Sequence, residues 1–170
     1  MVVTSPIDVV DEGTSLAFSF DEMLRYSGPG SPAGVALAFQ AMRCGFPMLD
    51  PEAPVERREV RVDTPFRGPG ARDGFELVTR SATEGRYVVD LSLERPERGS
   101  TLEAFSFRLT YRDRTVTLLA REGVVTEEFV SLARKEERSA EDERHLTDLK
   151  RDLTDRLLNT APADVFDTEP

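Results

Sequence analysis

Residues 19–45 constrain this chain more than any other stretch. A short helix must stop at a Gly/Pro loop and hand over to a longer, almost wholly apolar helix. Ser19, with Glu22 three residues on, forms a capping box in which each side chain satisfies an exposed amide of the first turn. Gly28-Pro29-Gly30 cannot prolong that helix, because glycine is conformationally loose and proline lacks the N–H donor. Ser31 is then expected as N-cap of the second helix, with Pro32 at its first position, where the missing donor costs nothing. Val35, Leu37, Ala38, Phe39, Ala41 and Met42 follow, and Gln40 and Arg43 are the main polar exceptions. Such a helix is buried or packed against a second copy of the chain, so a homodimer is expected. Gly45 is expected to end it.

That helix needs a core to sit in. With 170 residues and 39% hydrophobic content, the chain can bury one core of ordinary size. A single domain over 18–170 is expected, preceded by an N-terminal arm over 1–17, whose Val2, Val3, Ile7, Val9 and Val10 are broken by Pro6 and Gly13. A net charge of -10 argues against nucleic acid, whose binders need a basic face to displace counterions. Cys44 is the one cysteine, which excludes an intrachain disulfide and points to a cytoplasmic protein with a buried, inert thiol. One Cys and one His cannot build an ordinary Cys/His zinc site, so neither metal nor cofactor is expected. No basic stretch followed by an apolar run marks a signal peptide, and no segment has the ~20 consecutive apolar residues of a membrane span.

The rest of the chain supplies a sheet and three more helices. Residues 57–63 alternate apolar and charged, the period of a strand with one face on a core. Residues 86–95, 103–112 and 115–120 read as an antiparallel meander, with 60–62 as a possible fourth strand. Their large inward residues call for cover by the 32–44 helix. Between them, a second Gly-Pro-Gly loop within 64–73 leads to a short helix over 74–80, expected to be capped by Asp73. Beyond Thr126 the pattern turns helical. Ser139 opens a charged helix with a seam of Leu146, Leu149, Leu153 and Leu157, beside which His145 is expected to be solvated. Asn159 and Pro162 stop it, and Phe166 can anchor the tail. The fold class is therefore α+β: an antiparallel sheet of about four strands packed against an N-terminal buried helix, with charged C-terminal helices.

The common catalytic constellations are missing. His145 lies far from the loop serines, no glycine loop ends in Gly-Lys-Ser/Thr, and Gly28-x-Gly30-x-x-x-Gly34 is not the dinucleotide fingerprint. The remaining candidates sit on the two loops: Ser27, Gly28, Gly30 and Ser31 on the first, Arg67, Arg72 and Asp73 on the second, with Ser81 following. If the loops meet, arginines and helix-terminal amides can hold a carboxylate or phosphate. Otherwise Ser31 and Asp73 are simply caps and the arginines solvated.

The order of these elements resembles the FmdE domain of formylmethanofuran dehydrogenase and its stand-alone relatives. Those proteins run from a short helix into a Phe-His-Gly-His-x-Cys-Pro-Gly loop and an apolar helix. This chain has Phe20 to Arg25, then Tyr26-Ser27-Gly28-Pro29-Gly30-Ser31-Pro32-Ala33. The family's Asp-Ala/Gly-Ile-Gln helix, ending in Thr-Gly-Cys, is matched by the run from Asp73 to Ser81, with Gly85 after it. Its closing charged helix and Pro-x-x-x-x-Phe tail are similar to Asp152 through Phe166. The resemblance implies that the family's metal-binding side chains fall on Ser27, Pro29, Ser31 and Ser81, and its loop cysteine near Gly70. Hydroxyl groups are poor ligands for soft metals, and proline and glycine side chains offer none. The expectation is a metal-free relative, a binding or accessory protein with a small polar or anionic-ligand pocket between loops 27–31 and 64–73. The alternatives are an enzyme using Asp73 as acid/base, with Ser27 or Ser31 orienting its substrate, and a protein whose role is purely structural interaction.

Overall fold

A helix with almost no polar surface has to sit in the middle of whatever it folds into. In the computed structural model, which describes residues 4–170, the chain runs through β1 (Ile7–Asp11), β2 (Thr14–Phe18), α1 (Phe20–Ser27), α2 (Pro32–Leu49), β3 (Val60–Thr64), α3 (Pro69–Thr79), β4 (Tyr87–Val89), β5 (Ser106–Tyr111), β6 (Arg114–Ala120), α4 (Glu127–Arg134), α5 (Ala140–Leu158), α6 (Pro162–Val165) and β7 (Phe166–Glu169). The architecture is α+β, and α2 is its centre, touching α1, α3, α5, α6, β5 and β6. No helix is long and apolar enough to cross a membrane among the described residues.

Within the segment expected as an N-terminal arm, residues 7–18 form a β-hairpin. β1 and β2 pair antiparallel, and Ile7 and Val9 enter the same core as α2. Glu12 and Gly13 make the two-residue turn, both with positive φ. Val2 and Val3 lie outside the described residues. The capping box forms as expected: the Ser19 amide donates to Glu22 Oε2 at 2.8 Å, and the Glu22 amide to Ser19 Oγ at 3.2 Å.

Gly45 does not end α2, which continues through Pro47 to Leu49. The glycine serves close packing instead. A Cβ there would stand 2.6 Å from Leu109 Cδ1, so a bare Cα is what lets the helix lie down on β5 and β6. Nor does Asp73 cap a helix over 74–80. α3 begins five residues earlier, with Gly68 as N-cap and Pro69 at the first position, the same proline signal that opens α2 at Pro32.

The main sheet has five strands in the order β4-β3-β5-β6-β7. It differs from the expected meander in that β3 is inserted between β4 and β5, pairing parallel with the first and antiparallel with the second. The alternation over 86–95 yields only three strand residues. The Asp90 carboxylate then accepts the Ser92 amide at 3.0 Å and turns Leu91–Leu93 into a 3-10 helix. The β5–β6 hairpin forms through Arg112 and Asp113, with Arg112 left-handed. The tail supplies the fifth strand, and Phe166 is buried against the Phe107 ring at 6.3 Å. Phe107 also meets Phe66 and Phe75, so one aromatic cluster joins sheet, α3 and the loop before α3.

The leucine seam of α5 packs as its spacing predicts, with Leu146, Leu153 and Leu157 buried and Leu149 partly so. Two polar side chains hold helix ends that apolar packing cannot. Gln40, fully buried on α2, donates to the Leu157 and Thr160 carbonyls at the end of α5. Arg57 donates to the carbonyls of Leu77 and Val78 at the end of α3, pairs with Asp11 at 3.3 Å, and lies over the Phe18 ring. A cation is favoured there by the negative end of the helix dipole.

Candidate functional site

The two Gly-Pro-Gly loops come together because the helices that follow them touch at their first turns. Gly70 lies against the backbone of Ser31 so closely that any Cβ would overlap the Ser31 carbonyl oxygen. A Cβ on Gly34 would stand 3.0 Å from the Ala71 nitrogen. Neither α2 nor α3 has a side chain capping its N-terminus; Ser31 is positioned as N-cap but its hydroxyl makes no capping bond. Two positive helix ends therefore converge on one place.

That place borders a cleft of about 670 Å³. It is lined by Ser31, Gly34 and residues 65–70, by Glu94 and residues 103–105, and by Phe129, Val130, Ala133 and Arg134 of α4. The Phe66 and Phe105 rings stand 4.9 Å apart and form a continuous apolar surface within it. Three cations reach the cleft. Lys150 Nζ donates to the Gly30 carbonyl at 3.0 Å, and Arg134 donates to the Ser100 carbonyl at 2.9 Å. Arg67 makes no ion pair or hydrogen bond through its side chain among the described residues, and is exposed. Of the two carboxylates, Glu103 lies 3.9 Å from Arg134, while Glu94 has no side-chain partner among the described residues.

Of the residues singled out from sequence, Ser31 and Arg67 line this cleft and Gly30 borders it through Lys150. Gly28 has φ 86° and lets the chain turn out of α1. Ser27, Arg72 and Asp73 form a separate cluster on the other side of the loops: Ser27 Oγ donates to Asp73 Oδ2 at 2.9 Å, and Arg72 stands 3.8 Å from Asp73. The Tyr87 hydroxyl is buried beside them without a hydrogen-bond partner among the described residues, and its burial pushes its pKa up. Ser81 is fully buried, its hydroxyl bonded to that of Thr79 at 2.8 Å and its carbonyl accepting the Tyr87 amide at 2.9 Å, and it does not line the cleft. The residues that sequence reasoning missed are Glu94, Phe129, Arg134 and Lys150. Each lies in an ordinary helical or turn context, and only tertiary packing brings it to the cleft.

The residues that the sequence resemblance would make metal ligands do not form a ligand set. Ser27 is engaged by Asp73, Ser81 is sealed in the core, Gly70 is pressed on the Ser31 backbone, and Pro29 has no donor atom. No three His, Cys, Asp or Glu side chains are grouped closely enough to hold a metal ion among the described residues. Two other reactive groups stand apart. Cys44 is half-buried rather than buried, and desolvation raises the pKa of its thiol against the opposing charge of Arg121. His145 is exposed and bonded to Glu128. Compared with known proteins, the chain matches no family model, no curated protein and no solved structure.

Proposed function

We propose that this chain is a metal-free binding or accessory protein whose cleft, bordered where loops 27–31 and 64–73 meet, takes a small polar or anionic ligand. The observation that carries this reading is the unpaired Arg67 at a cleft bordered by two uncapped helix N-termini. In a chain of net charge -10, a free guanidinium beside two positive helix ends is a local reversal of sign. Kinship with the FmdE family belongs to the same reading, supported by the order of loop, buried helix, strand, loop and helix and by the meeting of the two loops. So does a homodimer, for which Val89 and Leu91 are exposed beside the free edge of β4. Sedimentation of the purified chain tests that part.

The ligand reading is tested by amide chemical shifts of labelled protein titrated with phosphate, acetate and succinate. Shifts should concentrate at Ser31, Arg67, Gly70 and Ala71, and Arg67→Ala should weaken them. Scattered or absent changes would sink the reading. The enzymatic alternative has one observation in its favour, the Ser27–Asp73 hydrogen bond beside the buried Tyr87 hydroxyl. Its test is whether Asp73→Asn abolishes any activity found for the chain.

A further inference from the structure

A bare anion would leave most of the cleft unfilled. A volume of about 670 Å³ lies in the range of pockets that enclose whole organic molecules rather than single ions. The lining is also divided in character. Arg67 and Lys150 stand at the end where α2 and α3 begin, because Lys150 is tied to the Gly30 carbonyl. Beside and beyond them lie the rings of Phe66 and Phe105, in contact at 4.9 Å and tilted by 39°, and Phe129 contributed by α4, with Glu94 and the Glu103–Arg134 pair as the remaining charged groups of the lining. Phe66 and Phe129 are only partly buried, so their rings keep free surface.

We propose that the ligand is an anion carried on a flat apolar body, an aromatic carboxylate or aromatic phosphate ester, with its charge at Arg67 and its ring among Phe66, Phe105 and Phe129. A guanidinium makes two parallel hydrogen bonds to either kind of oxyanion. A planar body gains both from leaving water and from offset or edge contacts with the phenylalanine rings. This rests on the cleft being the binding site, and it adds the class of molecule bound there.

Calorimetric titration with five probes separates the two claims: phenyl phosphate, inorganic phosphate, benzoate, acetate and the uncharged benzyl alcohol. Each aromatic anion should bind at least about tenfold more tightly than its bare counterpart, since burying one ring removes a large apolar area from water. The phosphate and carboxylate pairs decide which head group is preferred. Arg67→Ala should weaken both aromatic anions, and Phe129→Leu, which keeps apolar bulk and loses the ring, should narrow the gap between each pair. Equal affinity for aromatic and bare anions overturns the inference and leaves the cleft reading standing. Benzyl alcohol binding as well as benzoate overturns the anionic part. Binding by none of the probes overturns the inference and the cleft reading together.

Discussion

The Ser27 hydroxyl donates to Asp73 Oδ2 at 2.9 Å, joining residues 46 apart in sequence. It ties the last residue of α1 to the middle of α3, so each Gly-Pro-Gly loop is held by a bond just outside it. Asp73 is partly exposed and has Arg72 at 3.8 Å, so the bond is partly screened. Ser27→Ala should therefore cost about 1 kcal/mol, at the modest end for a hydrogen bond to a charged group. A double-mutant cycle with Asp73→Asn, followed by urea denaturation, should return a coupling of similar size. Zero coupling would show that the two side chains merely lie near one another.

His145 bridges α5 to α4 through Nε2, 2.6 Å from Glu128 Oε1. The hydrogen bond to Glu128 is the main cause of a pKa raised above the ordinary 6.5; desolvation opposes it, and the charges of Glu128, Asp148 and Asp142 add to it. A raised folded-state pKa means that the stabilisation is fully present below the unfolded value and fades as pH rises through the folded one. His145→Asn should thus lower Tm in mildly acidic buffer and leave it unchanged well above the raised pKa. His145 is the only histidine, so its ring proton resonance reports the titration directly. Its midpoint should lie above that of the urea-unfolded chain and drop toward it in Glu128→Gln. A midpoint at or below the unfolded value rules out the bridge.

Gln40 is fully buried, accepts from Arg43 at 2.9 Å and donates to the Thr160 carbonyl at 2.8 Å, as well as to that of Leu157. It closes the end of α5 from a helix that otherwise offers only apolar contact. Gln40→Leu keeps the volume and removes the donor, leaving buried polar groups short of a partner at about 1–3 kcal/mol. Amide exchange should quicken first in residues 155–160. Stability equal to the parent chain would mean that apolar packing alone seats α5.

Gln40 also shows where sequence reasoning stops. From the sequence it reads as a gap in an apolar helix, because its partner is 117 residues away. The signals that carried through are local ones: the Ser19–Glu22 box, the apolar run of α2, the leucine seam of α5 and Phe166 as anchor of the tail. Each depends on residues within a turn or two of one another. The position of β3 between β4 and β5 depends on a crossover, which alternation cannot show. Gly45 carries the signal of a helix stop but answers to Leu109, far along the chain. At the cleft, Ser31 and Arg67 were legible because loops rich in glycine and proline draw attention. Phe129, Arg134 and Lys150 sit on ordinary amphipathic helices, whose docking alone gives them a role.

The contact between Gly70 and Ser31 can be tested by a single methyl group. Replacing a helical glycine with alanine usually stabilises, by up to about 1 kcal/mol. At Gly70 the sign should reverse. The new Cβ would overlap the Ser31 carbonyl oxygen and stand 2.9 Å from its Cβ and 3.0 Å from the Val35 nitrogen. Two of these are backbone atoms of α2 and its cap, which cannot swing aside as a side chain can, so the helices must part. Gly70→Ala should lose at least about 2 kcal/mol, within the range for overpacking a close contact. Gly30→Ala is the control: its Cβ meets nothing within 4 Å, and the change should be nearly neutral. Urea midpoints of the two variants make the comparison. If Gly70→Ala is as stable as Gly30→Ala, the first turns of α2 and α3 do not meet, and the convergence of helix ends at the cleft falls with them.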